Sequence, residues 1–91
     1  MTTAQTLLPW LKTDLGITSN VYDTRLTAYI ENAQSAITRE GIILTDSVED
    51  NQLVIMYAAW TWNKRTTGEG MPRMLRYALN NRLFSGKARE T

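Results

Sequence analysis

The sequence has 91 residues, 43% hydrophobic and 21% charged, with a net charge of +1, no histidine and no cysteine. One domain near the size where a single core suffices is the expectation. The usual zinc sites, Ser-His-Asp triads, Cys-His pairs and disulfide frameworks are thereby excluded, and the lack of cysteine fits cytosolic synthesis.

Residues 1–5 are polar and small, and are expected to be mobile. Leu7, Leu8, Leu11 and Leu15 then recur at helical spacing, which predicts a helix over 5–15 that Gly16 ends. Pro9 suits that helix only in its first turn, and Trp10 falls off the main apolar stripe. Ser19 or Asn20 is suited to cap a second helix over 20–40, with Asp23 repeating the capping logic. Its apolar residues Tyr22, Leu26, Ile30, Ala33 and Ile37 lie within about 80° of arc, a single-sided stripe.

Gly41 stops that helix, and Ile42-Ile43-Leu44 predicts an extended connector at 41–46 lying across the core, or a short strand paired with another chain. Three consecutive aliphatics are not expected to alternate in and out. Ser47 with Asp50 is a capping pattern for a helix over 47–65, with Glu49 and Asp50 at the positive end of its dipole and Lys64 and Arg65 at the negative end. Between Leu53 and Trp62 only Thr61 is polar. Leu53, Met56, Tyr57 and Trp60 make one stripe; Ile55, Ala59 and Trp62 make a second. A helix apolar most of the way round needs cover on several sides, from the rest of a small bundle or from a partner.

Thr66–Gly70 reads as a hinge, and Pro72 as the start of a last helix over 72–84 with Met71, Leu75, Ala78, Leu79 and Leu83 as its stripe. Residues 85–91 are expected to be mobile. The whole reads as an all-α bundle of about four helices in a single domain, 1–91.

No P-loop, GxGxxG or GxSxG motif occurs, and helix capping accounts for Asp46, Glu49 and Asp50 better than a carboxylate metal or acid/base site. The expectation is therefore a protein that is not an enzyme and uses no cofactor or metal. No apolar run approaches the roughly 20 residues of a membrane span, nor is there a signal-peptide start. Charge is uneven: residues 1–62 hold three Lys/Arg against seven Asp/Glu, a net −4, and residues 63–91 hold seven against two, a net +5. Such asymmetry suits head-to-tail stacking of copies or presentation of the basic end to an acidic partner.

The succession LLPWLKTDLGI, SNVYDTRLTAYIENAQSAITREG, DNQLVIMYAAWTWNKR and MPRMLRYALNNRLF, over about residues 7 to 84, resembles the small head-to-tail connector (adaptor) proteins of long-tailed bacteriophages. The resemblance implies a structural virion protein, made in the bacterial host cytoplasm. It would form a ring of about a dozen copies beneath the portal, monomeric or not when free. That ring would extend the DNA channel, pass genomic DNA without sequence specificity and offer a platform to a stopper or tail protein. On it, Trp10, Ile55 and Trp62 are expected at subunit contacts, and Arg73, Arg76 and Arg82 at the portal or channel. The competing reading is a small helical DNA-binding regulator of helix-turn-helix type, with Arg73, Arg76, Asn80 and Arg82 on its reading helix. Near-neutral charge and the absence of a tight helix-turn-helix joint speak against it.

Overall fold

The computed structural model of the chain describes residues 3–90, with side chains in the last helix described as far as Ser85. It is all-helical, with the order α1 (Ala4–Leu15), α2 (Asp23–Arg39), α3 (Val48–Thr67) and α4 (Arg73–Glu90). Three-quarters of the chain is helical and no strand occurs among the described residues. No described helix is long and apolar enough to cross a membrane. Of the ends expected to be mobile, residues 1, 2 and 91 lie outside the described residues; α1 already begins at Ala4, and the backbone of α4 continues past Phe84 to Glu90.

Local chemistry sets most boundaries. Thr3 caps α1, its hydroxyl accepting from the Thr6 amide, and Gly16 closes it at φ 72°, donating to the Lys12 and Thr13 carbonyls. Only glycine takes that left-handed conformation without strain. Pro9 is not in the first turn but well inside α1. It removes one donor to the Gln5 carbonyl, and since Gln5 and Pro9 are both exposed, water can replace the lost bond.

The second helix starts later than its capping residues suggest. Tyr22 is the N-cap of α2 and makes no side-chain capping bond. Asn20 serves elsewhere: its Oδ1 accepts from Lys12 Nζ at 2.9 Å, its carbonyl accepts from the Asp23 amide, and Lys12 also pairs with Asp23 at 2.8 Å. The α1–α2 joint therefore takes the group that would have capped α2.

Ser47 caps α3, accepting from the Asp50 amide at 3.1 Å, and Gly68 ends it at φ 68°. Between these caps this chain buries Ile55, Ala59 and Trp62 of one stripe and Leu53 of the other, while Met56, Tyr57 and Trp60 are half-buried. Helices α1 and α2 pack on it from one side and α4 from another. Leu53, Val54, Ile55, Ala58, Ala59 and Trp62 join Leu7 and Leu11 of α1, Leu26, Ile30 and Ile37 of α2, and Leu75 and Leu79 of α4 in one core. The chain's own bundle thus covers the Ile55–Ala59–Trp62 stripe fully and the Leu53–Met56–Tyr57–Trp60 stripe in part.

The connector 41–46 is extended, yet its aliphatics do alternate: Ile42 is buried, Ile43 is 71% exposed and Leu44 is half-buried. An extended backbone points successive side chains to opposite faces whatever their polarity, and only one face of this segment meets the core.

Ile55 is 2% exposed at the centre of the core. Ile55→Ala is expected to lower unfolding free energy by about 2–5 kcal/mol in urea titrations of the isolated protein, the range for truncating a buried aliphatic. A side chain awaiting a partner would show almost no effect.

Candidate functional site

The strongest polar constellation ties the three C-terminal elements together. Asp50, in the first turn of α3, is 2% exposed. Its Oδ1 accepts from Arg82 Nε at 2.7 Å, and its Oδ2 accepts from Arg82 Nη2 at 3.2 Å and from the amide and hydroxyl of Thr45, each at 2.8 Å. Arg82 Nη2 also donates to the Ile43 carbonyl at 2.7 Å. One guanidinium thus spans α4, α3 and the connector, with the bidentate geometry that arginine alone provides. Burial works against ionisation of Asp50, but the Arg82 hydrogen bonds, the Thr45 amide and hydroxyl, and the Arg82 charge together hold its carboxyl below the ordinary carboxylate range. With four bonds already accepted, Asp50 is a structural anion and not a base waiting for a substrate.

Beside this node a groove of about 660 Å³ opens between the first half of α3 and α4. Leu53, Met56 and Ala78 give it an apolar floor, with Val48, Glu49 and Asn81 around it. Glu49 is exposed, and its charge adds to the field that favours the Arg82 cation, so it lies on the rim near that end of α4. Along the outward side of α4 run Met74, Tyr77 and Phe84, 72%, 57% and 75% exposed. At 100° per residue these three and Asn81 share about 80° of arc, so the stripe borders the groove.

The last turns of α3 carry a second constellation. Trp62 lies between Tyr22 and Tyr29, each edge-on with ring centroids 5.5 Å away, and the Arg65 guanidinium sits 3.9 Å from the Trp62 ring centre. Trp60 meets Tyr57 edge-on and carries Lys64 at 4.4 Å. The Trp60 indole N–H reaches the Glu69 and Gly70 carbonyls at 3.3 and 3.1 Å. The stretch expected as a hinge is thus shorter than Thr66–Gly70, because α3 runs through Thr67 and Trp60 holds the residues after Gly68.

The residues expected at contacts separate into different environments. Ile55 and Trp62, expected on an inter-subunit face, are inside this chain, 2% and 8% exposed, because α1 and α2 both reach α3. Trp10 is 42% exposed and remains at the surface. Arg82 is committed to Asp50, and Arg76 donates to Glu40 Oε1 at 2.9 Å across an exposed gap. Of the three arginines expected at a portal or channel, only Arg73 has no ion-pair partner among the described residues. The outward stripe of α4 and the groove were not anticipated; Met74, Tyr77 and Phe84 at helical spacing, off the Leu75–Leu79 stripe, were their only signal.

Among the described residues no group of three or more His, Cys, Asp or Glu is placed to hold a metal ion. The arrangement offers shape, apolar surface and a few cations: the means of binding another macromolecule. No protein-family model, no curated protein and no solved structure matches this chain.

Removing one member of a buried ion pair strands the other. Arg82→Leu is accordingly expected to cost about 3–5 kcal/mol in unfolding experiments. The Asp50 carboxyl titrates lower in the folded than in the unfolded chain, so its contribution is complete above the unfolded value of about 4 and vanishes as pH falls through the folded value. Thermal unfolding followed from about pH 7 to about pH 2 should show Asp50→Asn starting less stable than the parent and losing less on acidification.

Proposed function

We propose that this chain is a head-to-tail connector of a long-tailed bacteriophage, a ring component that sits beneath the portal and receives the stopper or tail protein. The observation that carries the reading is the division of the molecule. Helices α1–α3 hold most of the single core, while α4, which adds Leu75 and Leu79 to it, is laid along α3 after a glycine-containing joint, with its outward side carrying Met74, Tyr77, Phe84 and Arg73. A rigid core with one apolar, basic helix on its flank suits an assembly adaptor, which must hold its own shape while offering a surface to larger partners.

On this reading the outward side of α4, with Arg73 as the cation that has no ion-pair partner among the described residues, meets the portal. Exposed Trp10 on α1 contacts a neighbouring subunit or the platform protein. Arg76 and Arg82 act from behind by fixing α4 against Glu40 and Asp50. Ile55 and Trp62 serve the core, and passing DNA needs no residue-specific contact. The DNA-reader alternative is weakened by the same pairs, since two of the three arginines on its reading helix are engaged within the chain.

Co-sedimentation of the purified protein with DNA-filled, tailless capsids carrying the cognate portal tests the proposal. Saturable binding at a single vertex, lost in Phe84→Ser or Arg73→Glu, is the expected result. Absence of capsid binding, together with duplex-DNA affinity that falls steeply as salt is raised, would overturn it in favour of the DNA reader.

A further inference from the structure

Helix α4 is held to the rest of the chain at three places, by attachments of different kinds. At its approach, the Trp60 indole N–H bonds the Glu69 and Gly70 carbonyls at 3.3 and 3.1 Å. In its middle, Leu75 and Leu79 are its only described side chains that are fully buried, and Arg76 makes an exposed pair with Glu40. Toward its far end Arg82 bonds Asp50 and the Ile43 carbonyl. There Leu83 also passes beside Gly41, its Cδ1 3.4 Å from where a side chain would rise. All other buried apolar side chains described belong to residues 4–62, so most of the core is made without α4.

The joint before α4 is free to turn. Residues 68–72 are not helical, and Trp60 holds them only as far as Gly70. No other part of the chain stands within 4 Å of where a side chain would rise from Gly70. Rotation there meets no neighbour, and a glycine backbone has the widest range.

The attachment at Arg82 can be undone without stranding a charge. With α4 in place, Asp50 is 2% exposed and is neutralised by Arg82; with α4 lifted, both ions return to water. The other two bonds to Asp50 come from Thr45, five residues away, and do not involve α4, nor does the Ser47 cap. The start of α3 therefore keeps its structure whether or not α4 lies on it.

From the sparse middle, the free joint and the reversible far-end pair, we infer that α4 is a hinged strap. It pivots at Gly70, is latched by Arg82 on Asp50, and opens as one unit while α1–α3 stay folded. Opening uncovers the flank of α3 on which α4 lies and joins it to the groove beside Leu53 and Met56. The inference rests on the fold and not on the connector reading.

Residue-resolved hydrogen exchange of the full chain, followed in rising urea below the unfolding transition, tests it. The Arg76 amide already donates to the Pro72 carbonyl, so protection in α4 is readable from residue 76 onward. Amides 76–83 are expected to share one opening constant, about tenfold or more above that of amides 26–37 and 53–59, with a shallower urea slope. Arg82→Leu leaves Asp50 unpaired in the closed state alone. It should raise the constant about a hundredfold or more, equally at residues 76 and 83. Arg82→Lys, which keeps the charge without the fork, should fall between, and Arg76→Leu should change the constant by about fivefold at most. Equal protection and equal slope in α4 and in α1–α3 would overturn the inference. So would exchange graded from the C-terminal end without urea dependence, which is fraying. An Arg82→Leu effect confined to amides near residue 82 would rule out the latch. If Arg82→Leu does not fold, the parent and Arg82→Lys decide. Capsid co-sedimentation is read separately, so failure of the strap and failure of the connector reading give different results.

Discussion

The geometry of the C-terminal half depends on one buried ion pair. Helix α4 has only α3 as an extensive helical neighbour, and Leu75 and Leu79 are its only described side chains that are fully buried. Two buried leucines set how closely α4 approaches α3 but leave it free to slide or roll, since apolar contact is non-directional. The Arg82 guanidinium removes that freedom. It bonds a carboxylate on α3 and a carbonyl on the connector from one planar group, and so fixes rotation and register together. A charge pair of this kind adds little net stability over a well-packed apolar pair. Its value here is that it permits one placement of α4.

That placement has consequences on both sides of the helix. Toward the core it opens the groove beside Leu53 and Met56 without filling it. Away from the core it turns Met74, Tyr77 and Phe84 to water. The exposed aromatics and the hollow next to them come from the same constraint, and the proposed function draws on the surface they create. The Arg76–Glu40 pair and the Trp60 indole bonds to residues 69 and 70 steady the first half of α4 and its approach. Being exposed, they add less.

The uneven charge of the sequence also looks different once folded. The acidic first two-thirds and basic last third do not simply face opposite ways. Glu40 and Asp50 from the acidic part take Arg76 and Arg82 from the basic part, so some of the asymmetry is spent inside the molecule. Lys64 and Arg65 lie over tryptophan rings at the end of α3, where they also complement its dipole. Among the described residues of α4, Arg73 is the cation without an ion-pair partner in the chain.

The sequence by itself determined the helical class, the number of helices and the caps at Gly16 and Ser47, because these follow from local periodicity and from the preferences of single residues. The buried stripe of α2 at Leu26, Ile30, Ala33 and Ile37 was legible for the same reason. Tertiary structure decided what periodicity does not encode. It decided that α1 and α2 together cover Ile55 and Trp62, that Asn20 joins Lys12 instead of capping α2, and that Ile43 turns outward between two inward neighbours. Above all it decided that Asp50, whose position predicts a cap, is instead the partner of an arginine far along the chain. A carboxylate in the first turn of a helix looks the same in sequence whether it meets water or a guanidinium. Only the folded chain brings the two charges together and removes the water between them.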